Sequence, residues 1–103
     1  MSPTRRSLML LAEQGWLASV VEQRIPHTNI TRDLFGVIDI VAIRGCHTLA
    51  VQTTSASNVN ARLNKIAASP HLSAIEASGW RFTVHGWRPD GRLREVIVLE
   101  GTL

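Results

Sequence analysis

The chain reads as an α/β protein built on a mixed sheet of about five strands, in the order helix, three strands, helices, two strands. Three observations predict this. Residues 37–43 and 48–54 are apolar runs joined by a short turn at Gly45, the pattern of neighbouring antiparallel strands. Between the second run and the next strand the apolar residues fall at helical spacing, so a crossover joins two parallel strands. Residues 80–87 and 93–99 flank Arg88-Pro89-Asp90-Gly91-Arg92, a strong turn sequence between two further strands.

The elements follow in order. Residues 7–14 hold Leu8, Leu11 and Ala12 at helical spacing, and Gly15 stops that helix. Basic residues precede this apolar segment, but the segment is too short for a signal-peptide core and runs into Glu13-Gln14. Residues 16–25 alternate loosely and are rich in Val, which predicts a strand ended by Pro26. Residues 27–36 are a polar connection. After the two central strands, Ser55 or Ser57 caps a helix that begins near Val59 and turns Val59, Leu63, Ile66 and Ala67 to the core. Ser69-Pro70 predicts a fresh cap with Pro at the first helical position and a second helix over 70–78, ended by Gly79.

A length of 103 residues bounds the chain to a single domain over 1–103. No apolar run approaches the roughly 18 residues of a membrane span. Cys46 is alone, so no internal disulfide is available, which suggests a reducing, cytoplasmic setting. The four histidines have no zinc-ligand spacing. The net charge is +3, and ten of the eleven basic residues are Arg, with Lys65 the exception. Arginine suits bidentate phosphate contacts, so nucleic acid is a permitted partner, although the charge alone does not demand it.

The chemistry concentrates on the two central strands. Asp39 lies within a Val/Ile run, where a carboxylate is expensive without partners. Gln52 and Thr54 close the second run two residues apart, on one face, while Thr53 points away. If the strands pair as a hairpin, Asp39 meets Gln52 and Thr54 at one end of the sheet. Asp39, the Gln52 amide and the Thr53 carbonyl then offer oxygens to a hard cation, with Glu22 and Asp33 as further upstream carboxylates. Asn58, Arg62 and Lys65 form one polar stripe on the following helix.

Helix, strand, Gly36-Val37-Ile38-Asp39, then Ala50-Val51-Gln52-Thr53-Thr54 and a polar helix together resemble the PD-(D/E)xK nuclease superfamily. The nearest shapes are its small archaeal and phage Holliday-junction resolvases. The combination of Asp33-Leu34-Phe35-Gly36, Gln52-x-Thr54 and Asn58 is also similar to short phage-type proteins assigned to that superfamily. The resemblance spans nearly the whole chain, on short motifs. It implies a restriction-endonuclease-like three-layer sandwich and a DNA endonuclease dependent on Mg²⁺ or Mn²⁺. Branched DNA would be a substrate, and the enzyme would act as a homodimer in the cytoplasm of a bacterium or phage-infected host.

Under this resemblance Asp39 is the metal-binding Asp, Gln52 stands for the acidic ligand and Thr54 for the lysine. Glu13 or Glu22 supplies the upstream acid. Glu22, Thr54 and Lys65 then join Asp39 and Gln52 as catalytic residues, Thr53 and Asp33 complete the metal shell, and Arg5, Arg6, Arg32, Asn58 and Arg62 contact DNA. The chain departs from the pattern where Gln replaces Glu and Thr replaces Lys, which removes one charge at the metal and one cation at the phosphate. Those departures keep a second reading open, a nuclease fold that no longer cuts and serves as a DNA-binding or assembly module. A protein-interaction domain without nucleic acid is a third.

The structural alternatives are simpler. Asp39 can cap a loop, Gln52 and Thr54 can face solvent at a sheet end, and the helix stripe can be a solvated face. Trp87 shares a strand face with Arg81, Thr83 and His85, and packing beneath a helix or terminal segment is favoured for it over stacking on a base.

Overall fold

The computed structural model describes residues 1–102. Its centre is a five-stranded mixed sheet in which Leu17–Val20, Ile40–Arg44, His47–Ser55, Arg81–Trp87 and Leu93–Glu100 lie side by side in that order, with helices on both faces. Helix α1 (Pro3–Glu13) starts well before the predicted residue 7. The Ser2 hydroxyl accepts the Arg5 amide at 3.2 Å and Pro3 occupies the first turn, so a cap and proline signal outweighs the later onset of apolar spacing.

The strand predicted over 16–25 divides. Strand β1 (Leu17–Val20) pairs antiparallel with β4 (Ile40–Arg44), with Val20 opposite Ile40. The Val21 amide still reaches the Asp39 carbonyl at 2.9 Å, after which no ladder remains for the chain to follow. It leaves the sheet and forms a separate ribbon, β2 (Gln23–Arg24) against β3 (Thr31–Arg32). Asp39 lies just before β4 rather than within it, because the tight loop bridging Leu34 to Ile38 delays the strand.

Strand β5 (His47–Ser55) returns antiparallel to β4 through Gly45, and the Asp39 amide extends the pairing by donating to Val51 O at 2.9 Å. A short 3-10 turn, Ala56–Asn58, leads into α2 (Val59–Ala67) and α3 (Leu72–Ala77). Helix α3 begins two positions later than its Ser-Pro signal predicts. The Ser69 hydroxyl accepts the His71 amide at 3.1 Å, so Ser69 and Pro70 form the connecting turn and lie outside the helix. Strand β6 (Arg81–Trp87) lies parallel to β5, as the helical crossover predicts, and β7 (Leu93–Glu100) returns antiparallel to it.

Alternation of the strand side chains divides the core in two. Leu11 of α1 and Trp16 pack with Ile40, Ala42, Leu49 and Val51 on one face. Val59, Ile66 and Ile75 of the other helices pack with Ala50, Phe82 and Val84 on the opposite face. Ala67, expected on the apolar side of α2, is exposed. The approach of α2 to the sheet depends on Gly86, where an added Cβ would collide with the Val59 side chain and lie 3.1 Å from Ala56 Cα. Gly86→Ala is therefore expected to destabilise the fold by about 1–3 kcal/mol in chemical denaturation, through overpacking rather than backbone strain. Among the described residues no helix is long and apolar enough to cross a membrane.

Candidate functional site

The division of the first predicted strand is what assembles the site. In the β2/β3 ribbon, Gln23 lies opposite Arg32, so one further step of that register sets Glu22 beside Asp33. Asp39 is brought to the same place by its bonds to Val21 and Val51. Carboxylate oxygens of Glu22, Asp33 and Asp39 all lie within 4.8 Å of one another. Glu13, the other upstream acid considered, ends α1 at the opposite end of the helix from Pro3 and Thr4, which line the site.

The three acids open onto a cleft of about 750 Å³ at the C-terminal end of β5. Gln52, Thr53 and Thr54 form its floor, and Arg32, Arg62 and Lys65 also line it. Lys65 Nζ lies 3.5 Å from Asp33 Oδ2. The helix stripe thus faces the cleft at Arg62 and Lys65. Asn58 does not line it; its side-chain amide donates to Ser55 Oγ at 3.0 Å and closes the turn before α2. Arg5 is exposed away from the cleft, and Arg6 turns toward the Trp87 ring, 6.0 Å from its centroid.

Asp39 is 4 % exposed, and three donors converge on its Oδ2. Gln52 Nε2 lies at 2.6 Å, the Thr53 amide at 2.8 Å and the Thr53 hydroxyl at 3.2 Å. The expected partnership with Gln52 is present, but Thr53 rather than Thr54 supplies the rest. Asp39 sits beyond the end of β4 and reaches across the strand edge, so the alternation that turns Thr53 away does not exclude it. Val51 accepts the Asp39 amide and Thr53 donates its own amide to the Asp39 carboxyl, so both direct main-chain groups to that same edge.

Burial is the largest influence on Asp39 and raises its pKa from 3.8 to about 7. The Thr53 amide opposes that rise, while the neighbouring Asp33 carboxyl reinforces it by hydrogen bonding and by charge. Without a cation, Asp39 therefore holds its proton up to near neutrality.

Gln52 is 1 % exposed, and its Oε1 has no hydrogen-bond partner. An orphaned buried amide oxygen carries a penalty of roughly 1–3 kcal/mol. In this orientation Nε2 serves Asp39 and Oε1 is left without a donor. The three carboxylates that converge are hard oxygens, of the kind that suits Mg²⁺ or Mn²⁺.

Thr4 was not anticipated. Its hydroxyl hydrogen bonds to Thr53 Oγ1 at 2.9 Å and ties the first turn of α1 to the site. The Ser2-Pro3 cap was the available signal. A second polar cluster lies behind the cleft, on the α1 face of β6. Ser7 Oγ lies 2.8 Å from His85 Nδ1, His85 Nε2 lies 3.2 Å from Glu95 Oε2, and the Trp87 indole donates to Ser7 Oγ at 2.8 Å. The His85 hydrogen bond holds the Glu95 carboxyl below its ordinary pKa. Ser7 is fully buried, so this Ser-His-Glu arrangement joins α1 to the sheet and presents no nucleophile. Trp87 packs beneath α1, as favoured from its strand position.

No family model, characterised protein or solved structure matches this chain.

Proposed function

We propose that this chain is a divalent-cation-dependent DNA endonuclease of restriction-endonuclease-like architecture. The observation that carries the reading is the buried Gln52 oxygen without a partner, tied through its own amide nitrogen to the carboxylate at the centre of an acidic triad. A structural carboxylate cluster has no use for an unsatisfied acceptor, whereas a cation site does. Charge supports the same reading. The cleft combines Glu22, Asp33 and Asp39 with Arg32, Arg62 and Lys65, formally three charges of each sign. A bound divalent cation leaves the cleft positive and able to hold a phosphodiester.

Bound there, Mg²⁺ or Mn²⁺ would polarise the phosphodiester and acidify an attacking water. Asp39, Asp33, Glu22, Gln52 Oε1 and the Thr53 carbonyl are the residues that would hold it. Thr54 lines the floor where a hydroxyl orients water, and Arg62 and Lys65 stabilise the phosphate from the helix in place of the strand lysine that the superfamily resemblance leads one to expect. Arg32, which also lines the cleft, adds a third cation. A branched substrate and a symmetric pair of copies come with the resolvase likeness and are part of the proposal on that ground.

The lapsed-nuclease reading is favoured by a single observation. Lys65 is the sole lysine and is engaged with Asp33.

Calorimetric titration with Mn²⁺, run alongside cleavage of linear and branched DNA, tests the proposal. The expected result is stoichiometric Mn²⁺ binding that tightens as pH rises through about 7, the region where Asp39 loses its proton. Asp39→Ala is expected to abolish both binding and cleavage. Cation binding and salt-dependent DNA affinity without cleavage favour the lapsed enzyme. Unchanged Mn²⁺ affinity in Asp39→Ala defeats the metal site.

A further inference from the structure

The loop from Asp33 to Gly36 is a wall shared by two cavities. Asp33 and Gly36 line the acidic cleft, while Phe35 lines a separate slot of about 190 Å³ on the helical side. His71, Ala74, Ile75, Ser78 and Trp80 complete that slot. Its volume is below the roughly 300 Å³ at which pockets for drug-sized ligands begin, and it suits one planar ring system. The Phe35 and His71 rings stand 6.2 Å apart between centroids and are inclined by 49°.

Phe35 is not explained by folding. It is 48 % exposed and absent from both core clusters, although its neighbours Leu34, Val37 and Ile38 belong to one. Its φ is 53°, a left-handed conformation that is unfavourable for a bulky aromatic residue. Asn or Gly would fit this backbone better, and a ring held there at a cost to the fold is suited to a ligand.

We infer that the slot takes a single unpaired nucleobase, and that the substrate is therefore DNA with an unstacked nucleotide next to the phosphate held in the cleft. This rests on the nucleic-acid reading of the cleft and adds the form of the substrate. The base stacks on an aromatic face of Phe35 or Trp80. The Ser78 hydroxyl donates its proton to Ala74 O at 2.9 Å, so its lone pairs remain to accept an exocyclic amino group. The His71 ring supplies a second polar edge. A base within a duplex has its faces stacked on its neighbours and its pairing edge engaged, so paired DNA gains nothing from the slot. The shared loop places base and phosphate on either side of Phe35 and Gly36, the arrangement that one splayed nucleotide presents.

The test compares binding of the full chain to a single-stranded oligonucleotide and to the fully paired duplex of the same sequence. Anisotropy is read in Ca²⁺, with 2-aminopurine in the single strand reporting stacking. Wild-type protein is expected to prefer the single strand and to quench the probe. Phe35→Asn is expected to lose that preference by about 5- to 100-fold and to leave the probe bright, with a melting temperature at or above wild type. Phe35→Tyr is expected to retain the preference. Equal wild-type affinity for both forms, or undiminished preference in Phe35→Asn, overturns the slot and leaves the cleft reading intact. Wild-type protein that binds neither form overturns both.

Discussion

Replacing Asp39 with Asn is expected to make the cation-free protein more stable above neutral pH while abolishing divalent-cation binding. In the folded protein Asp39 holds its proton up to about pH 7, against 3.8 for an ordinary aspartate. Between those values the native state binds more protons than the unfolded chain, so wild-type stability falls as pH rises through that window and then levels off. At about 1.4 kcal/mol per pKa unit, and discounting for relaxation and water entry around a buried charge, the loss is roughly 2–4 kcal/mol. Asn has no proton to lose. Its Oδ1 can keep the Thr53 amide and Gln52 Nε2, and its own amide can donate toward Asp33. Urea denaturation with chelator from about pH 5 to about pH 8 should show a declining wild-type curve and a flatter variant curve that crosses above it. A variant that follows the wild-type slope would show that Asp39 does not carry the linkage. The expected outcome has a stabilised fold with a disabled site, the usual signature of groups positioned for a ligand rather than for folding.

Gln52→Glu is expected to do the reverse. Glutamate restores the charge that the superfamily resemblance leads one to expect, but it removes the donor held 2.6 Å from Asp39 and sets a carboxylate there instead. Position 52 is almost fully buried, so the new charge cannot escape to water. Without a cation the variant should lose roughly 3–5 kcal/mol, most of it above neutral pH, where its carboxyl must ionise or remain protonated at a cost. Saturating Mn²⁺ should recover much of that loss, because a ligand bound only by the native state stabilises it in proportion to the logarithm of its concentration over Kd. Mn²⁺ affinity at least about tenfold above wild type is the matching calorimetric expectation, equivalent to about 1.4 kcal/mol. A variant as stable as wild type in chelator, with unaltered Mn²⁺ affinity, would mean that residue 52 faces neither Asp39 nor a cation.

Both experiments depend on a pairing that the sequence already suggested. Asp39 and Gln52 are near neighbours because β4 and β5 form a hairpin of short turn, and alternating apolar residues identify such strands locally. The crossover through α2 and α3 to a parallel β6 was readable for the same reason, as was the Arg88–Arg92 turn. Glu22 and Asp33 could be nominated only as acids upstream. Nothing local in residues 16–25 reports that the partner strand ends at Ile40, so the departure of the chain at Val21 was invisible, and with it the ribbon that joins those two acids. Face alternation turns Thr53 away from Asp39, but it governs residues within a ladder, and Asp39 stands just beyond one. Charge and spacing point to Arg5, Arg6 and Asn58, but none of them lines the cleft, because helix phase and turn bonding decide direction.

What the sequence determined by itself is the type and order of the elements and which residues share a face, because propensity, capping and alternation are properties of a few consecutive residues. The tertiary structure alone decided that three carboxylates converge, that Asp39 keeps a proton near neutrality and that the Gln52 oxygen is buried without a partner. Proximity, desolvation and the satisfaction of a buried atom belong to the packed chain, since each depends on groups brought together from distant positions.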